Sequence, residues 1–192
     1  MGRAAPAGDG GRVNNLVPVA KRVSYRDEWL TPPEILRPLG RFDLDPCASV
    51  VRPWPTADQH YTVRDNGLSL PWSGRIWLNP PYGADAEAWL RKLAEHGNGM
   101  ALIFARTETR PWLDLVWGKA SALLFLHKRV RFCDTSGRPG TQPCAPSVLV
   151  AYGGGNAACL ASCGLTGAFV TGWYTMRANN GTGLLRAMQE SA

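Results

Sequence analysis

Apolar positions along this chain gather in short runs, and proline, glycine or a charged pair cuts off nearly every one. Phe42-Asp43-Leu44-Asp45 alternates apolar and acidic and is stopped by Pro46-Cys47-Ala48, the pattern of a strand entering a tight loop. His60-Tyr61-Thr62-Val63 has the form of a further short strand, and Asp65-Asn66-Gly67 is a turn signal. Arg75 to Leu78 predicts a strand that ends abruptly at Asn79-Pro80-Pro81. Asp85 to His96 predicts a helix, with Ala88, Trp89, Leu90 and Leu93 on its apolar face and Gly97 as its stop. Met100 to Ala105 is continuously apolar, as in a strand covered on both faces, and Ala120–Leu126 and Ser147–Tyr152 repeat that character. Near the start, Thr31-Pro32-Pro33-Glu34 predicts a capped helix: a hydroxyl N-cap, proline in the first turn and a glutamate three residues on. Ile35, Leu36 and Leu39 follow as its apolar face.

Strand, helix and strand in succession imply a parallel crossover, hence an α/β protein. Between Ala48 and Pro71 lie only about two dozen residues, whereas one complete βαβ unit takes roughly 30. The helical layer is therefore expected to be trimmed on that side, leaving a compact α/β sheet. Residues 1–24 carry glycine, alanine, proline and basic residues without periodicity and read as a disordered arm. The core is expected over 25–152, with 153–192 a C-terminal extension in which 158–162 and 168–174 form a hairpin completing the domain.

Composition adds bounds. A chain of 192 residues, 45% hydrophobic with eight tryptophans, can bury one ordinary core. A net charge of +6 favours an anionic partner and gives the basic residues a role to look for. Five cysteines are an odd number without a Cys-x-x-Cys pair, which suits reduced thiols and argues against a zinc site, so no metal is expected. No apolar run approaches the roughly 20 residues needed to span a bilayer, so no membrane association is expected.

The candidate chemistry sits at Asn79-Pro80-Pro81-Tyr82, at a strand's carboxyl end, where open α/β sheets place ligands. A planar amide, a carbonyl held by the rigid proline pair and an aromatic face are displayed together. Two acceptors and a stacking surface suit an –NH2 group on a flat heterocycle. His60 reads as structural. Lys128-Arg129-Val130-Arg131-Phe132 interleaves basic and apolar residues, as an edge ribbon with one face on the core and the other on nucleic-acid phosphates would. Residues 133–146 make a loop long enough for a lid or a base-reading element.

Asn79-Pro80-Pro81-Tyr82 resembles the catalytic motif of S-adenosylmethionine-dependent amino-methyltransferases. The wider blocks, in order, resemble phage-type DNA adenine-N6 methyltransferases: Asp27 to Pro33, Phe42 to Ala48, Asp65 to Leu68, Trp77 to Gly83, Ala105 to Thr109 and Arg129 to Phe132. The resemblance covers Asp27 to about Tyr152. It implies a Rossmann-like methyltransferase fold with S-adenosylmethionine as cofactor, acting on adenine in double-stranded DNA with the base rotated out of the helix. It further implies a bacterial cytoplasm, in a phage or prophage setting. Asn79, Pro80, Pro81 and Tyr82 become the catalytic residues. Trp29, Thr31, Pro32, Asp45, Cys47, Ala48, Asp65 and Asn79 become the cofactor-binding set, and Arg106, Thr107, Lys128, Arg129 and Arg131 the DNA-binding set. The Asp45 to Ala48 loop has no glycine where the broader superfamily is glycine-rich; small Cys47 and Ala48 take that place. Asn-Pro-Pro-Tyr alone also fits enzymes acting on RNA or on protein glutamine, and a nucleic-acid-binding relative without catalysis is the alternative from another class.

Overall fold

The structure, a computed structural model, describes residues 28–83, 85–141 and 143–175. The arm expected at 1–24 lies outside them. Seven strands form a single sheet: β1 (Leu44–Asp45), β2 (Gln59–His60), β3 (Ile76–Leu78), β4 (Gly99–Phe104), β5 (Ala122–Leu126), β6 (Ser147–Tyr152) and β7 (Gly167–Val170). Their order is β2-β1-β3-β4-β6-β5-β7. β2, β1, β3 and β4 pair in parallel, whereas β6 runs antiparallel between β4 and β5, and β7 antiparallel on β5. β5 thus points the same way as β4, so β1 to β5 all end on one rim.

Strand alternation divides the sheet's side chains between two faces. On one, Trp77, Met100, Leu102, Leu124 and Leu149 meet Leu36 and Leu39 from α1 (Pro33–Leu36) and the 3-10 turn after it, and Leu160 of α3 (Gly154–Ser162). On the other, Ile76, Leu78, Ala101, Leu123 and Val150 meet Trp89, Leu90 and Leu93 of α2 (Ala86–His96) and Leu115 and Val116 of a π-helical turn at Trp112–Trp117. Ile76, Trp77 and Leu78 have no exposed surface. At roughly 1.5–3 kcal/mol per buried large apolar side chain, burial anchors this strand firmly.

Helices cover only part of the sheet. β3 to β4 crosses over through α2, as expected, but β1 to β2 and β2 to β3 return through irregular chain. The trimmed layer predicted from chain length is present.

Three expectations need correction. Thr31 does not cap α1: the helix starts at Pro33 with Pro32 at the N-cap, no side chain caps it, and the Thr31 hydroxyl is buried without a partner. Proline holds its predecessor extended, so the pair Pro32-Pro33 moves the start past the reach of the threonine. Lys128–Phe132 is not a strand. Its alternation survives, with Val130 and Phe132 buried and Lys128, Arg129 and Arg131 exposed, but after Leu126 the chain leaves the sheet and Cys133 pairs with Leu30 in an antiparallel bridge. The expected terminal hairpin is α3 followed by β7. Gly153, at φ 88°, turns the chain out of β6 into a helix that the Gly154-Gly155 pair had disguised, and buried Leu160 holds that helix on the core. The loop from Cys133 onward is short-circuited as well, since Asp134 N donates to Arg138 O and Gly140 N to Phe132 O.

Candidate active site

From β1 the chain moves first to β2 on one side and then to β3 on the other, so the strand order reverses between β1 and β3. The carboxyl ends of two such strands splay apart and open a crevice. A cavity of about 580 Å³ lies there, walled by Asp45 to Ser49 after β1, Asn79 to Tyr82 after β3, and the incoming segment Glu28 to Thr31.

Asn79 leaves β3 where the prolines end the ladder. Its Nδ2 donates to the Trp29 carbonyl at 2.9 Å, which fixes the amide plane, and its Oδ1 is buried with no partner. Trp29 is held in turn, because Leu30 N and Cys133 O, and Cys133 N and Leu30 O, bond at 2.8 and 2.9 Å. Behind the motif, the Cys47 thiol donates to the Asn79 carbonyl at 3.3 Å, tying the loop after β1 to the strand end of β3. The result is an oriented amide oxygen with unspent acceptor capacity.

Asp45 is buried at the tip of β1. Its carboxylate accepts from Cys47 N at 3.1 Å and from the Thr56 hydroxyl. Burial pushes its carboxyl up to about 6, against those hydrogen bonds and the charge of Arg52, which act to lower it. Burial, then the Asp45 charge, raises the Cys47 thiol well above its ordinary range, so this cysteine stays protonated and is a donor rather than a nucleophile. Around the mouth, the Ser49 hydroxyl donates to Glu28, Arg52 donates to Ser49 O at 2.7 Å, and the Trp54 indole N–H donates to Thr31 O at 3.0 Å.

Tyr82 is 41% exposed, yet its ring is ordered by neighbours. Phe104 stacks on it with centroids 4.3 Å apart and planes 14° apart, and Phe132 meets it edge-on at 6.1 Å. One ring face is thereby covered and the other is left for a planar partner. Burial raises the phenol's pKa, so the hydroxyl stays neutral.

Of the residues expected to hold a cofactor, Trp29, Thr31, Asp45, Cys47, Ala48 and Asn79 line this cavity. Pro32 lines a neighbouring groove instead. Asp65 is turned away as well: its carboxylate accepts from Thr62 N and the Thr62 hydroxyl, both at 2.8 Å, which holds it below the ordinary carboxylate range, while Asn66 and Gly67 line the wall. His60 Nε2 accepts from Thr56 N and Ala57 N at 3.3 Å, a role within the fold. Arg106 and Thr107 are exposed just after β4, on the rim that carries Asn79, and Lys128 to Arg131 follow β5 on the same rim. Sequence reasoning missed Thr56, Arg52, Glu28, Trp77 and Phe104. Glu28 and Trp77 lie inside the resembling blocks without having been singled out, Phe104 carried a signal as an aromatic ending the strand beside β3, and Arg52 and Thr56 carried none.

The donor set suits S-adenosylmethionine. Among the described residues, five buried side-chain polar atoms lack a partner, and three belong to cavity residues: Thr31 Oγ1, Trp77 Nε1 and Asn79 Oδ1. An unsatisfied buried polar atom costs about 1–3 kcal/mol, so three such atoms gathered in the residues around one cavity mark it as a strained, polar-lined place in the fold. The volume is in the range of ligand sites, roughly 300–1,000 Å³, and the walls mix aromatic surface with a carboxylate suited to amino or hydroxyl donors.

Compared with known protein families, residues 19–153 match the family described as DNA N-6-adenine-methyltransferase (Dam). No curated protein and no solved structure matches the chain.

Proposed function

Because this chain belongs to the DNA N-6-adenine-methyltransferase family, whose reaction is methylation of adenine in DNA, we propose that it methylates adenine N6 at a defined site in double-stranded DNA, from S-adenosylmethionine, with the target base rotated out of the helix. The observation that carries the reading is Asn79, whose amide nitrogen is spent on Trp29 and whose oxygen is buried and unpartnered beside the cavity.

The exocyclic amine of adenine is a poor nucleophile because its lone pair is delocalised into the ring. Asn79 Oδ1 accepts one N–H and the Pro80 carbonyl the other, which draws the nitrogen toward tetrahedral geometry and localises the lone pair. Tyr82 stacks on the extruded base with the face that Phe104 leaves open, since a paired amine cannot enter the cavity. Pro81 keeps the carbonyl of Pro80 and the ring of Tyr82 at a fixed separation. Trp29, Thr31, Asp45, Cys47 and Ala48 would hold S-adenosylmethionine. When bound, that cofactor supplies an electrophilic methyl group on sulfur. The N–C bond would form as the C–S bond breaks with its electron pair going to sulfur; the two acceptors stabilise the positive charge that develops on the attacking nitrogen, and the proton leaves to water afterwards. Arg106, Thr107, Lys128, Arg129 and Arg131 contact the DNA backbone from the rim.

Among the described residues, no helix is long and apolar enough to cross a membrane. The phage-type blocks support a bacterial cytoplasm as the setting.

The test is transfer of labelled methyl from S-adenosylmethionine to unmethylated duplex DNA, with RNA and a protein extract in parallel and nucleoside analysis of the product. N6-methyladenine from the parent and a loss of about 10²–10³-fold in Asn79→Ala, with cofactor binding retained, is the expected result. Label in RNA or protein alone overturns the substrate; no label and no cofactor binding overturns the catalytic reading.

A further inference from the structure

We infer that a second, basic groove beside the active cavity is a binding site for the deoxyribose-phosphate backbone of the DNA strand next to the target nucleotide. The inference rests on the proposed DNA substrate and adds where the strand lies. The groove has a volume of about 550 Å³ and is lined by chain from three places: Pro32 to Ile35, Leu126 to Arg131, and Leu165 with Thr166.

Its charge is one-sided. Lys128, Arg129 and Arg131 face a single carboxylate, Glu34, and among the described residues neither Lys128 nor Arg131 forms an ion pair. Exposed cations without partners keep their full attraction for phosphate. The floor is apolar: Val130 is buried and Ile35 and Leu165 are half-buried. Basic edges over an apolar floor match a strand that presents phosphates outward and sugars inward. Neither a dry hydrophobic ligand nor a free small anion would use both.

Its position ties it to the chemistry. Pro32 follows Thr31 of the cavity wall, and Arg131 precedes Phe132, whose ring meets Tyr82 edge-on. The two walls are stitched together at Leu30 and Cys133. The groove wall is thus joined in the chain to the cavity wall at Pro32 and to the neighbour of Tyr82 at Arg131. Leu165 and Thr166, between α3 and β7, close the far side, with His127 N donating to Thr166 O at 3.0 Å. This gives the C-terminal extension a part in substrate binding that no sequence motif signals.

The experiment is fluorescence anisotropy of a labelled DNA duplex with the full chain across a salt series, alongside calorimetry with S-adenosylmethionine. In Lys128→Ala/Arg131→Ala, duplex binding is expected to weaken about tenfold at low salt. The slope of log K against log salt should become shallower by about two, the phosphate contacts removed. Glu34→Gln is expected to tighten duplex binding severalfold, which loss of folding could not produce. Arg129, whose guanidinium donates to Pro143 O at 2.8 Å, is left intact because its removal would also disturb a loop. Cofactor binding unchanged in all variants is the required control. Parent-like affinity and slope in the double variant, or no tightening in Glu34→Gln, overturns the inference. Duplex binding needs no methyl transfer, so a parent that binds DNA but does not methylate would overturn the catalytic reading while the slopes still decide this one.

Discussion

The ring of Tyr82 lies on that of Phe104, centroids 4.3 Å apart and planes 14° apart, so the residue proposed to stack on the base is itself stacked. An exposed tyrosine would otherwise lose rotamer freedom each time a base arrived. Phe104, at the last position of β4, orders that ring in advance and leaves one face free.

Phe104→Ala should therefore lower kcat/KM for DNA by about tenfold, the equivalent of losing roughly 1–1.5 kcal/mol of aromatic contact, while the cofactor Kd stays at the parent value. Phe104→Tyr should restore it. Steady-state kinetics with titrated DNA checks both, and equal loss in the two variants would rule out a stacking role.

Gly140 allows a close approach. A Cβ there would overlap the Trp29 indole and would sit 3.1 Å from Phe132 O. Gly140→Ala should push Trp29 aside, weaken cofactor binding by about tenfold and shift the tryptophan emission, since Trp29 both lines the cavity and carries the carbonyl that orients Asn79. Calorimetry and fluorescence measure the two effects, which should appear together. Cofactor binding at the parent value would show that the indole can yield without consequence.

Asp45 couples the site to pH. Its folded value, about 6, lies above its ordinary 3.8, so the fold prefers the neutral carboxyl. The stability it contributes is complete below about pH 4 and is lost as pH rises through 6, amounting to at most about 3 kcal/mol at 1.36 kcal/mol per unit. Asp45→Asn should flatten this part of the pH dependence of unfolding in the ligand-free protein, and should weaken cofactor binding near neutral pH, where the carboxylate is the better acceptor. Denaturant titrations of both proteins across the window provide the comparison, and parallel curves would refute the assignment.

The C-terminal extension docks through one polar knot. Arg75 donates to Asn156 Oδ1 at 2.6 Å, to Leu39 O at 2.8 Å and to Arg41 O at 2.7 Å, while Asn156 Nδ2 donates to Asn98 Oδ1 at 2.9 Å and Tyr152 O at 2.8 Å. Asn156 is 3% exposed. Asn156→Ala should cost about 2–3 kcal/mol of unfolding free energy in a single transition if the extension completes the core's domain. A separate early transition for the C-terminal part would show that it folds on its own.

The rim and its motif were legible because their signals are local. Two prolines after an apolar triplet end a strand wherever it lies, and the short span between Ala48 and Pro71 leaves no room for helices. What the sequence did not disclose depends on distant partners. Trp29 and Asn79 are separated by 50 positions and meet through a backbone carbonyl, which has no residue-type signature. Thr56, in a polar run, gave no hint that it would bond a buried carboxylate. The capping pattern at Thr31 misled because proline geometry overrides a hydroxyl's preference, and α3 was hidden by a glycine pair whose low helix propensity is overcome by the packing of Leu160.

The absence of helices between β1, β2 and β3 has a dynamic consequence. Beyond Asp45 the cavity wall after β1 is largely irregular chain, held by side-chain bonds and by loop backbone bonds such as Ala48 N to Tyr61 O at 2.9 Å, whereas Asn79 hangs from a fully buried strand flanked by β1 and β4. Elements with few packed contacts open locally at little cost, and central strands open only with the whole molecule. The acceptor position is thus a fixed reference, and the reagent side can breathe around it. For the reaction proposed above, this would let spent cofactor leave and fresh cofactor enter without the geometry at the nitrogen being rebuilt in each cycle.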